Sequence, residues 1–251
     1  MMIKRNEVKW KDVGYLRIGQ TFDYEYHLKL NQPLADWDVW DYWEHERTHS
    51  MANNLKKGDV LFDIGAEVGW LSVVYAQIVG AENMVLIEPT PEFWGNIHAI
   101  WHQNFDVEPL ATCNCLFSEH TNQKIAPMTW EKAAKADLID KLAYTYINDN
   151  KKNVPEITID DYVKQSGIIP DALTIDTEGA EIAILRGAKE TIKKHKPLVW
   201  VSVHPDLAIS HGFGDTKNIY EFMESMGYKH KYLATDHEVH ELFYPKLRKI
   251  K

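Results

Sequence analysis

The sequence predicts an α/β protein with a doubly wound, mostly parallel sheet and helices on both faces. Between Gly58 and Glu88 the chain passes through a short apolar stretch, a glycine turn, an amphipathic segment and a second apolar stretch, which is typical of a strand–helix–strand unit. The same order of patterns recurs from Leu173 to Val203. Alternating residues from Lys229 to Tyr244 predict a β-hairpin, which completes the sheet with antiparallel strands.

Composition and charge restrict the kind of protein. The chain has 251 residues, and residues 1–251 are expected to form one domain with a substantial core. Lys and Arg total 28 against 37 acidic residues, a net charge of −9, which disfavours nucleic acid or an anionic membrane as a partner. No apolar run has membrane-spanning length, and no apolar signal region opens the sequence. Because two cysteines give no disulfide framework, a reducing, cytoplasmic location is expected.

The first 57 residues are expected to form a cap segment in front of a core at 58–251. Short strands are predicted between Tyr15 and Leu30. A helix is predicted from Asp36, because tryptophans recur there at helical spacing. This helix either covers the cofactor side or packs its tryptophans into the core. The tryptophans are Trp37, Trp40 and Trp43.

The first strand–helix–strand unit contains a turn suited to a nucleotide-like ligand. Gly65 and Gly69 bracket the turn, where missing side chains would let a ligand approach the backbone at a helix N-terminus. Glu88 follows the second strand, at the place where a ribose would offer two hydroxyls. An ordinary unit of this type that binds no ligand is the alternative interpretation.

The glycine spacing separates two classes of ligand. A dinucleotide fingerprint requires G-x-G-x-x-G, but counting from Gly65 the other two glycine positions hold Glu67 and Trp70. A bulky indole where helix and strand must pack closely argues against a dinucleotide, and therefore against an NAD-dependent oxidoreductase. The pattern D-x-G-x-x-x-G, from Asp63 to Gly69, is typical of S-adenosylmethionine-dependent methyltransferases.

The middle of the chain offers weaker signals. A strand is predicted over 109–117, and a helical insertion over about 121–153 is either a lid that shapes substrate choice or a passive excursion. Two histidines and two cysteines near the predicted strand raise the alternative of a zinc site, but their spacing matches no compact zinc motif. These residues are His98, His102, Cys113 and Cys115.

The second unit places polar residues at the ends of two further strands. Leu173–Ile175 is predicted as a strand that ends at Asp176, and Leu198–Val203 as a strand that ends at His204. A helix is predicted between them, from Gly179 to about His195. Because parallel strands present their carboxyl ends at one edge of a sheet, four polar residues are expected to converge there. They are Asp63, Glu88, Asp176 and His204.

Three stretches together carry a resemblance to a known family. They are DIGAEVGWLS from Asp63, ITIDDYV from Ile157, and LTIDTEGAEIAILRGA from Leu173. From about Gly58 to His204 the chain resembles the FkbM-type methyltransferases, which are class I enzymes that use S-adenosylmethionine. The resemblance implies a Rossmann-like methyltransferase fold with a seven-stranded sheet and an antiparallel C-terminal hairpin. It also implies methyl transfer to hydroxyl oxygens, often on sugars.

The resemblance also implies roles for individual residues. Gly65 and Gly69 would line the methionine portion of the cofactor, and Ser118 would lie near the adenine. The full cofactor-binding set is Asp63, Gly65, Ala66, Glu67, Gly69, Glu88, Ser118 and Asp176. The family usually has Asn where this chain has Glu67. That substitution places an extra negative charge beside the amino-acid end of the cofactor.

Catalytic roles are expected for Asp176, Glu178 and His204. His204 is the first candidate for the general base, because the unperturbed pKa of histidine, about 6.5, suits proton transfer at neutral pH. Asp176 is the second candidate, as a base or as a group that orients the substrate. Glu178 and Glu181 raise the option of a divalent metal, but Glu181 is expected on a helix, pointing away.

The resulting hypothesis is an O-methyltransferase for a sugar, a glycan or another small hydroxylated acceptor. A non-catalytic module that keeps the methyltransferase fold is the alternative from a different class, and Glu67 is the residue that favours it. The excess of acidic over basic residues disfavours RNA or DNA as the substrate of methylation. The acceptor and the oligomeric state are left open by the sequence.

Overall fold

The computed structural model describes residues 2–3, 9–18, 24–31, 44–122, 128–139 and 154–251. Its strands are β1 (Met2–Ile3), β2 (Trp10–Ile18), β3 (Tyr24–Asn31), β4 (Leu61–Ile64), β5 (Met84–Ile87), β6 (Ala111–Cys113), β7 (Leu116–Phe117), β8 (Leu138–Ile139), β9 (Glu156–Ile157), β10 (Ala172–Ile175), β11 (Leu198–Val203), β12 (Tyr228–Thr235) and β13 (Val239–Pro245). Its helices are α1 (His45–Asn54), α2 (Trp70–Val79), α3 (Trp94–Asn104), α4 (Trp130–Lys135), α5 (Ile159–Ser166), α6 (Glu181–Gly187), α7 (Lys189–His195), α8 (Pro205–Ser210) and α9 (Lys217–Ser225). Short 3-10 turns cover Ala81–Asn83 and Pro91–Phe93.

A seven-stranded sheet forms the centre of the molecule, in the order β12-β13-β11-β10-β4-β5-β6. Five neighbouring strands of this sheet, β11, β10, β4, β5 and β6, are parallel to one another. Strand β13 runs antiparallel to both β11 and β12. The predicted fold class, a doubly wound sheet ending in an antiparallel hairpin, is therefore confirmed. Among the described residues, no helix is long and apolar enough to cross a membrane.

Alternate residues of the central strands build two hydrophobic layers, one on each face of the sheet. Leu61 and Met84 belong to one layer, and their neighbours Phe62 and Val85 belong to the other. Because both layers are covered by helices, these strands are buried on both sides, as continuous apolar runs predict. Polar residues within such strands are therefore exceptions that need partners.

The described part of the N-terminal segment packs against the core. Strands β2 and β3 pair antiparallel, and Leu28 and Leu30 of β3 are fully buried in one of the two layers. The Asn104 side chain joins α3 to β3, because it donates to Lys29 O at 3.0 Å and accepts from Lys29 N at 2.9 Å. The predicted start of a helix at Asp36 and the tryptophan stripe lie outside the described residues.

Three local predictions differ from the structure. The strand expected over 109–117 is divided into β6 and β7, because Asn114 leaves the ladder and donates to Glu88 O and Pro89 O. The helix expected from Gly179 to His195 is divided into α6 and α7. Within 121–153, helix α4 covers six residues and strand β8 pairs with β1, while 140–153 lie outside the described residues.

Candidate active site

The glycine turn between β4 and α2 is required by the packing of the chain itself. Gly65 has φ 93°, and a Cβ atom placed there would lie 1.8 Å from Asp176 O. At Gly69, which has φ 90° and precedes α2, a Cβ would lie 3.0 Å from Ile97 Cα. The backbone amides of Gly65 and Ala66 both donate to Ile87 O at 3.0 Å. The glycines therefore bring three elements close together, and the turn lies directly beside Asp176.

Glu88 holds the glycine turn from the tip of β5. Its Oε2 accepts from Glu67 N at 2.9 Å, and its Oε1 accepts from Thr90 N at 2.7 Å. Burial raises the pKa of this carboxyl to about 7, and the nearby Glu67 charge adds to the rise. Each carboxylate oxygen can accept a further hydrogen bond. The residue therefore fits the predicted role of accepting from ribose hydroxyls.

Glu67 lies in the turn with a left-handed backbone, at φ 50°. Residues other than glycine rarely adopt this conformation, although Asn does so several-fold more often than most. This preference gives a physical reason for the Asn that the family usually has at this position. The side chain of Glu67 is partly exposed, so its charge lies at the surface of the turn.

Two other residues of the predicted cofactor set are held by protein partners. Asp63 is buried in β4, where its Oδ2 accepts from Ser72 Oγ at 2.5 Å, and burial raises its pKa to about 6. The Ser118 hydroxyl donates to the Glu156 carboxylate and accepts from His120 N. Ser118 lies just after β7, which pairs with β9 outside the seven-stranded sheet.

The tips of β10 and β11 bring Asp176 and His204 together, as predicted. His204 Nε2 lies 3.7 Å from Asp176 Oδ1 and 3.8 Å from Glu178 Oε2. Glu178 and Gly179 have φ of 56° and 100°, so the chain turns sharply into α6. The expectation that Glu181 points away is wrong. Glu181 is fully buried, and its Oε1 accepts from Gly179 N at 2.9 Å and bonds His204 Nδ1 at 2.9 Å.

A residue from the C-terminal hairpin completes this group. Glu238, in the turn between β12 and β13, places its Oε2 3.1 Å from His204 Nε2. We call Asp176, Glu178, Glu181, His204 and Glu238 the histidine–carboxylate cluster. Burial alone would lower the pKa of His204, but the bonds to Glu181 and Glu238 and the charge of Asp176 raise it to about 11. Because the imidazole lies between two carboxylates that favour its protonated form, it is poorly suited to act as a general base.

Arg47 of α1 forms a buried network behind the cluster. Its Nη1 donates to Asp176 Oδ2 at 3.0 Å and to Ser202 Oγ at 2.8 Å, and its Nη2 donates to Thr174 Oγ1. Nη1 also bonds Glu44 Oε2 at 3.1 Å. The Arg47 side chain is 1% exposed. A cap-segment residue thus fixes one oxygen of Asp176 and leaves the other directed toward His204.

The hairpin turn surrounds Glu238 with further titratable groups. Asp236 accepts from Glu44 N at 2.9 Å and lies 2.7 Å from His240 Nε2. His237 Nε2 bonds Glu238 Oε1 at 2.6 Å. Sequence reasoning treated this stretch as a polar hairpin turn and missed its contribution to the site. The available signal was the density of acids and histidines in the turn.

The remaining candidates do not join the cluster. His98 packs against Trp130 with tilted rings whose centroids are 4.6 Å apart, and His102 is exposed. Cys113 and Cys115 are buried as free cysteines in the layer on the other face of the sheet from Trp101. Among the described residues, the groups that could hold a metal ion do not include these four.

A comparison with protein families identifies one match. The family model of the methyltransferase FkbM domain matches residues 63–230. This range contains the glycine turn, Glu88 and four members of the histidine–carboxylate cluster, and it ends before Glu238. A comparison with the curated proteins finds no match.

Several solved structures resemble the chain at low identity. The methyltransferase FkbM of Methylobacillus flagellatus KT is 19% identical with a TM-score of 0.49, over 74% of this chain and 44% of that protein. This chain therefore spans less than half the length of that relative. TYW2 of M. jannaschii, solved with AdoMet, is 13% identical with a TM-score of 0.45, over 88% and 84%. Fibrillarin of Aeropyrum pernix, solved with S-adenosyl-L-methionine, is 10% identical with a TM-score of 0.42, over 75% and 67%.

Proposed function

Because the chain belongs to the FkbM methyltransferase family, we propose that it transfers a methyl group from S-adenosylmethionine to a hydroxyl of a sugar, a glycan or another small acceptor. The observation that carries this proposal is the arrangement along one sheet edge. Glu88 ends β5, and Asp176 ends β10 two strands away, roughly 10 Å at the usual strand spacing. An extended cofactor held at Glu88 would reach the histidine–carboxylate cluster with its other end.

On the cofactor side, we propose that Glu88 accepts from the ribose hydroxyls. The backbone from Gly65 to Gly69, with Ala66 and Glu67 between them, would line the methionine portion, and Ser118 would lie near the adenine. Glu88 supports this role, because both of its oxygens keep acceptor capacity after bonding Glu67 N and Thr90 N.

On the acceptor side, we propose that Asp176 orients the acceptor hydroxyl and takes its proton. Asp176 is 24% exposed, and Arg47 holds its Oδ2, so Oδ1 is the oxygen available to a substrate. The sulfonium of the cofactor supplies an activated methyl and a good leaving group. The protein must therefore align the acceptor oxygen at roughly 3–3.5 Å from the methyl carbon and remove a proton.

We propose that His204 stabilises charge in the cluster rather than acting as the base. Both of its ring nitrogens are bonded to carboxylates, Nδ1 to Glu181 and Nε2 to Glu238, so His204 holds these carboxylates in place beside Asp176. Glu178, with a side chain 65% exposed, is placed to contact an acceptor. The cap segment 1–57 and the insertion at about 121–153 would shape the acceptor pocket. For the cap segment, this proposal is supported by the contact between Arg47 and Asp176.

Two measurements on the purified chain test the proposal. Calorimetry with S-adenosylmethionine and S-adenosylhomocysteine should detect binding, and an acceptor screen with tritiated methyl donor across sugars, nucleotide-sugars and glycans should detect transfer. With a true acceptor, Asp176→Ala should lower turnover by at least a hundredfold, whereas Glu82→Gln, in an exposed turn, should not change it. Near-normal turnover of Asp176→Ala would contradict the assigned site.

The charge of Glu67 favours a second candidate, a non-catalytic module that keeps the fold. Glu67 adds to the rise in the pKa of Glu88, so the turn carries two acids where a cofactor carboxylate must also be accommodated. Absence of cofactor binding at millimolar concentration would favour this candidate over the enzyme.

A further inference from the structure

The Nε2 atom of His204 faces carboxylate oxygens from two segments, the loop between β10 and α6 and the turn between β12 and β13. This atom lies 3.1 Å from Glu238 Oε2, 3.7 Å from Asp176 Oδ1 and 3.8 Å from Glu178 Oε2. One ligand atom from each of Asp176, His204 and Glu238 lies within 4.8 Å of the others. We propose that Asp176, His204 and Glu238 bind a divalent metal ion, with Glu178 as a further ligand.

The spacing of these atoms suits a metal centre. Bonds of about 2.0–2.2 Å from a first-row metal to nitrogen and oxygen ligands place neighbouring ligand atoms roughly 3–3.5 Å apart. The observed separations from His204 Nε2, 3.1–3.8 Å, need only small side-chain movements to reach this range. Glu178 is on a turn and 65% exposed, so its side chain can adjust most easily.

Each proposed ligand is oriented through its other polar atom. Nδ1 of His204 bonds the buried Glu181 carboxylate at 2.9 Å, and a metal ion would take the place of the proton on Nε2. Oδ2 of Asp176 accepts from Arg47 at 3.0 Å, and Oε1 of Glu238 bonds His237 at 2.6 Å. Metal-binding histidines almost always donate their second N–H to such a partner, which fixes the ring and makes it a better ligand. This outer layer is what distinguishes the group from a set of surface acids.

The charge of the site also calls for a cation. Asp176, Glu178, Glu181 and Glu238 are four carboxylates around the His204 imidazole, with Arg47 contacting Asp176 and His237 contacting Glu238 from outside the cluster. Glu181 is fully buried, and the Glu238 side chain is 9% exposed. Buried carboxylates require a compensating charge. A set of several carboxylates with one imidazole favours Mn²⁺ or Fe²⁺ over a thiolate-preferring metal.

An adjacent group is less suited to hold the ion. Glu44, His237, Glu238 and His240 also place ligand atoms within 4.8 Å of one another. However, His240 bonds Ser202 through Nδ1 and Asp236 through Nε2, and Asp236 is not a member of this group. By contrast, the Nε2 partner of His204 is Glu238, which is itself a proposed ligand. We therefore infer that this neighbouring group stabilises the hairpin turn. Glu238 belongs to both groups.

The role of the metal rests on the proposed methyl transfer. Asp176, His204 and Glu238 would hold the ion, which would act as a Lewis acid and stabilise the negative charge that develops on an acceptor oxygen. With the ion bound, Asp176 would be a ligand and its Oδ2 would remain bonded to Arg47, so the proton of the acceptor hydroxyl would pass to solvent. The oxygen would then form a bond to the methyl carbon as the sulfur–methyl bond breaks, and the electron pair of that bond would stay on sulfur as a thioether.

Metal binding by the full-length chain is the direct test. After treatment with EDTA and its removal, Mn²⁺ is titrated and the free ion is followed by electron paramagnetic resonance, with and without S-adenosylhomocysteine. One Mn²⁺ per chain is expected. His204→Ala and Glu238→Gln should weaken binding at least a hundredfold, and Glu181→Gln, which changes only the orienting partner, should weaken it about 10–100-fold. His102→Ala and Glu82→Gln, on exposed positions elsewhere, should bind as the wild type does.

The outcomes separate the metal site from the methyltransferase proposal. Absence of Mn²⁺ binding by the wild type, or equal affinity in His204→Ala, overturns the site, even where S-adenosylhomocysteine still binds. Loss of binding in His240→Ala but not in His204→Ala overturns the assignment in favour of the neighbouring group. Mn²⁺ binding without S-adenosylhomocysteine binding supports the site and contradicts the proposed function. Circular dichroism identifies variants that fail to fold, in which case the wild-type titration decides.

Discussion

The glycine turn with Glu88 and the histidine–carboxylate cluster lie on the same sheet edge but are built differently. Glu88 bonds Glu67, only 21 residues earlier in the chain, whereas Arg47 reaches Asp176 across 129 residues and Glu44 reaches Asp236 across 192. One region is local in sequence. The other is assembled from the cap segment, two central strands and the C-terminal hairpin.

Two acids, Glu88 in the first region and Glu238 in the second, show opposite pKa shifts. In the first, burial raises the pKa of Glu88 to about 7, so the acid carries its charge only partly at neutral pH. In the second, burial would raise the pKa of Glu238, but the hydrogen bonds from His204 and His237 lower it to about 2. The first region is thus suited to binding neutral hydroxyl groups, and the second to holding protons or cations.

The largest effect is expected where the cluster depends on a distant residue. Arg47→Met should lower the free energy of unfolding by about 3–5 kcal/mol, because it removes the cation from the buried Glu44 and from Asp176, 129 residues away. The measurement is urea unfolding followed by circular dichroism. Arg186→Met is the matched control: Arg186 is 43% exposed and 3.5 Å from Glu119, so it should cost less than about 1 kcal/mol. Equal losses would contradict the long-range dependence of the cluster.

A smaller effect is expected where the two regions touch. Gly65→Ala should cost about 2–4 kcal/mol, because the new Cβ would meet Asp176 O at 1.8 Å in addition to the unfavourable backbone conformation. Gly58 has the same φ of 93°, but a Cβ placed there would have no atom within 4 Å. Gly58→Ala therefore measures the cost of the backbone conformation alone, about 1–2 kcal/mol. Thermal unfolding and S-adenosylhomocysteine binding check this difference. Similar losses in both variants would show that the contact with Asp176 is unimportant.

The smallest effect concerns the charge of the glycine turn. Ribose hydroxyls donate best to ionised Glu88, whose pKa is about 7 without ligand. Affinity for S-adenosylhomocysteine should therefore rise with pH through about 7, and below it should weaken by up to about tenfold per pH unit. Calorimetry between pH 5.5 and 8.5, roughly, measures this slope. Glu67→Asn should move the midpoint to lower pH, and Glu88→Gln should flatten the dependence. If the affinity of Glu88→Gln depends on pH as strongly as that of the wild type, a group other than Glu88 causes the pH dependence.

Much of the fold and the whole of the glycine turn could be predicted from the sequence. Apolar runs at β4, β5, β10 and β11 identify buried parallel strands, and residues at their ends must share one edge. Asp176 and His204 were placed correctly for this reason. This strand-end rule predicts which edge of the sheet a residue occupies, but it does not predict which side chains the residue contacts. For this reason the sequence led to the expectations that Glu181 points away and that His204 is neutral.

The sequence by itself determined the sheet, the family and the turn beside Glu88, because each depends on residues that are close together in the chain. Only the tertiary structure decided that Arg47, Glu181 and Glu238 surround Asp176 and His204. Those contacts depend on how the cap and the C-terminal hairpin pack onto the sheet, and no local pattern encodes such long-range pairing. The charge of the site follows from that packing, since it is the neighbours of His204 that keep its proton.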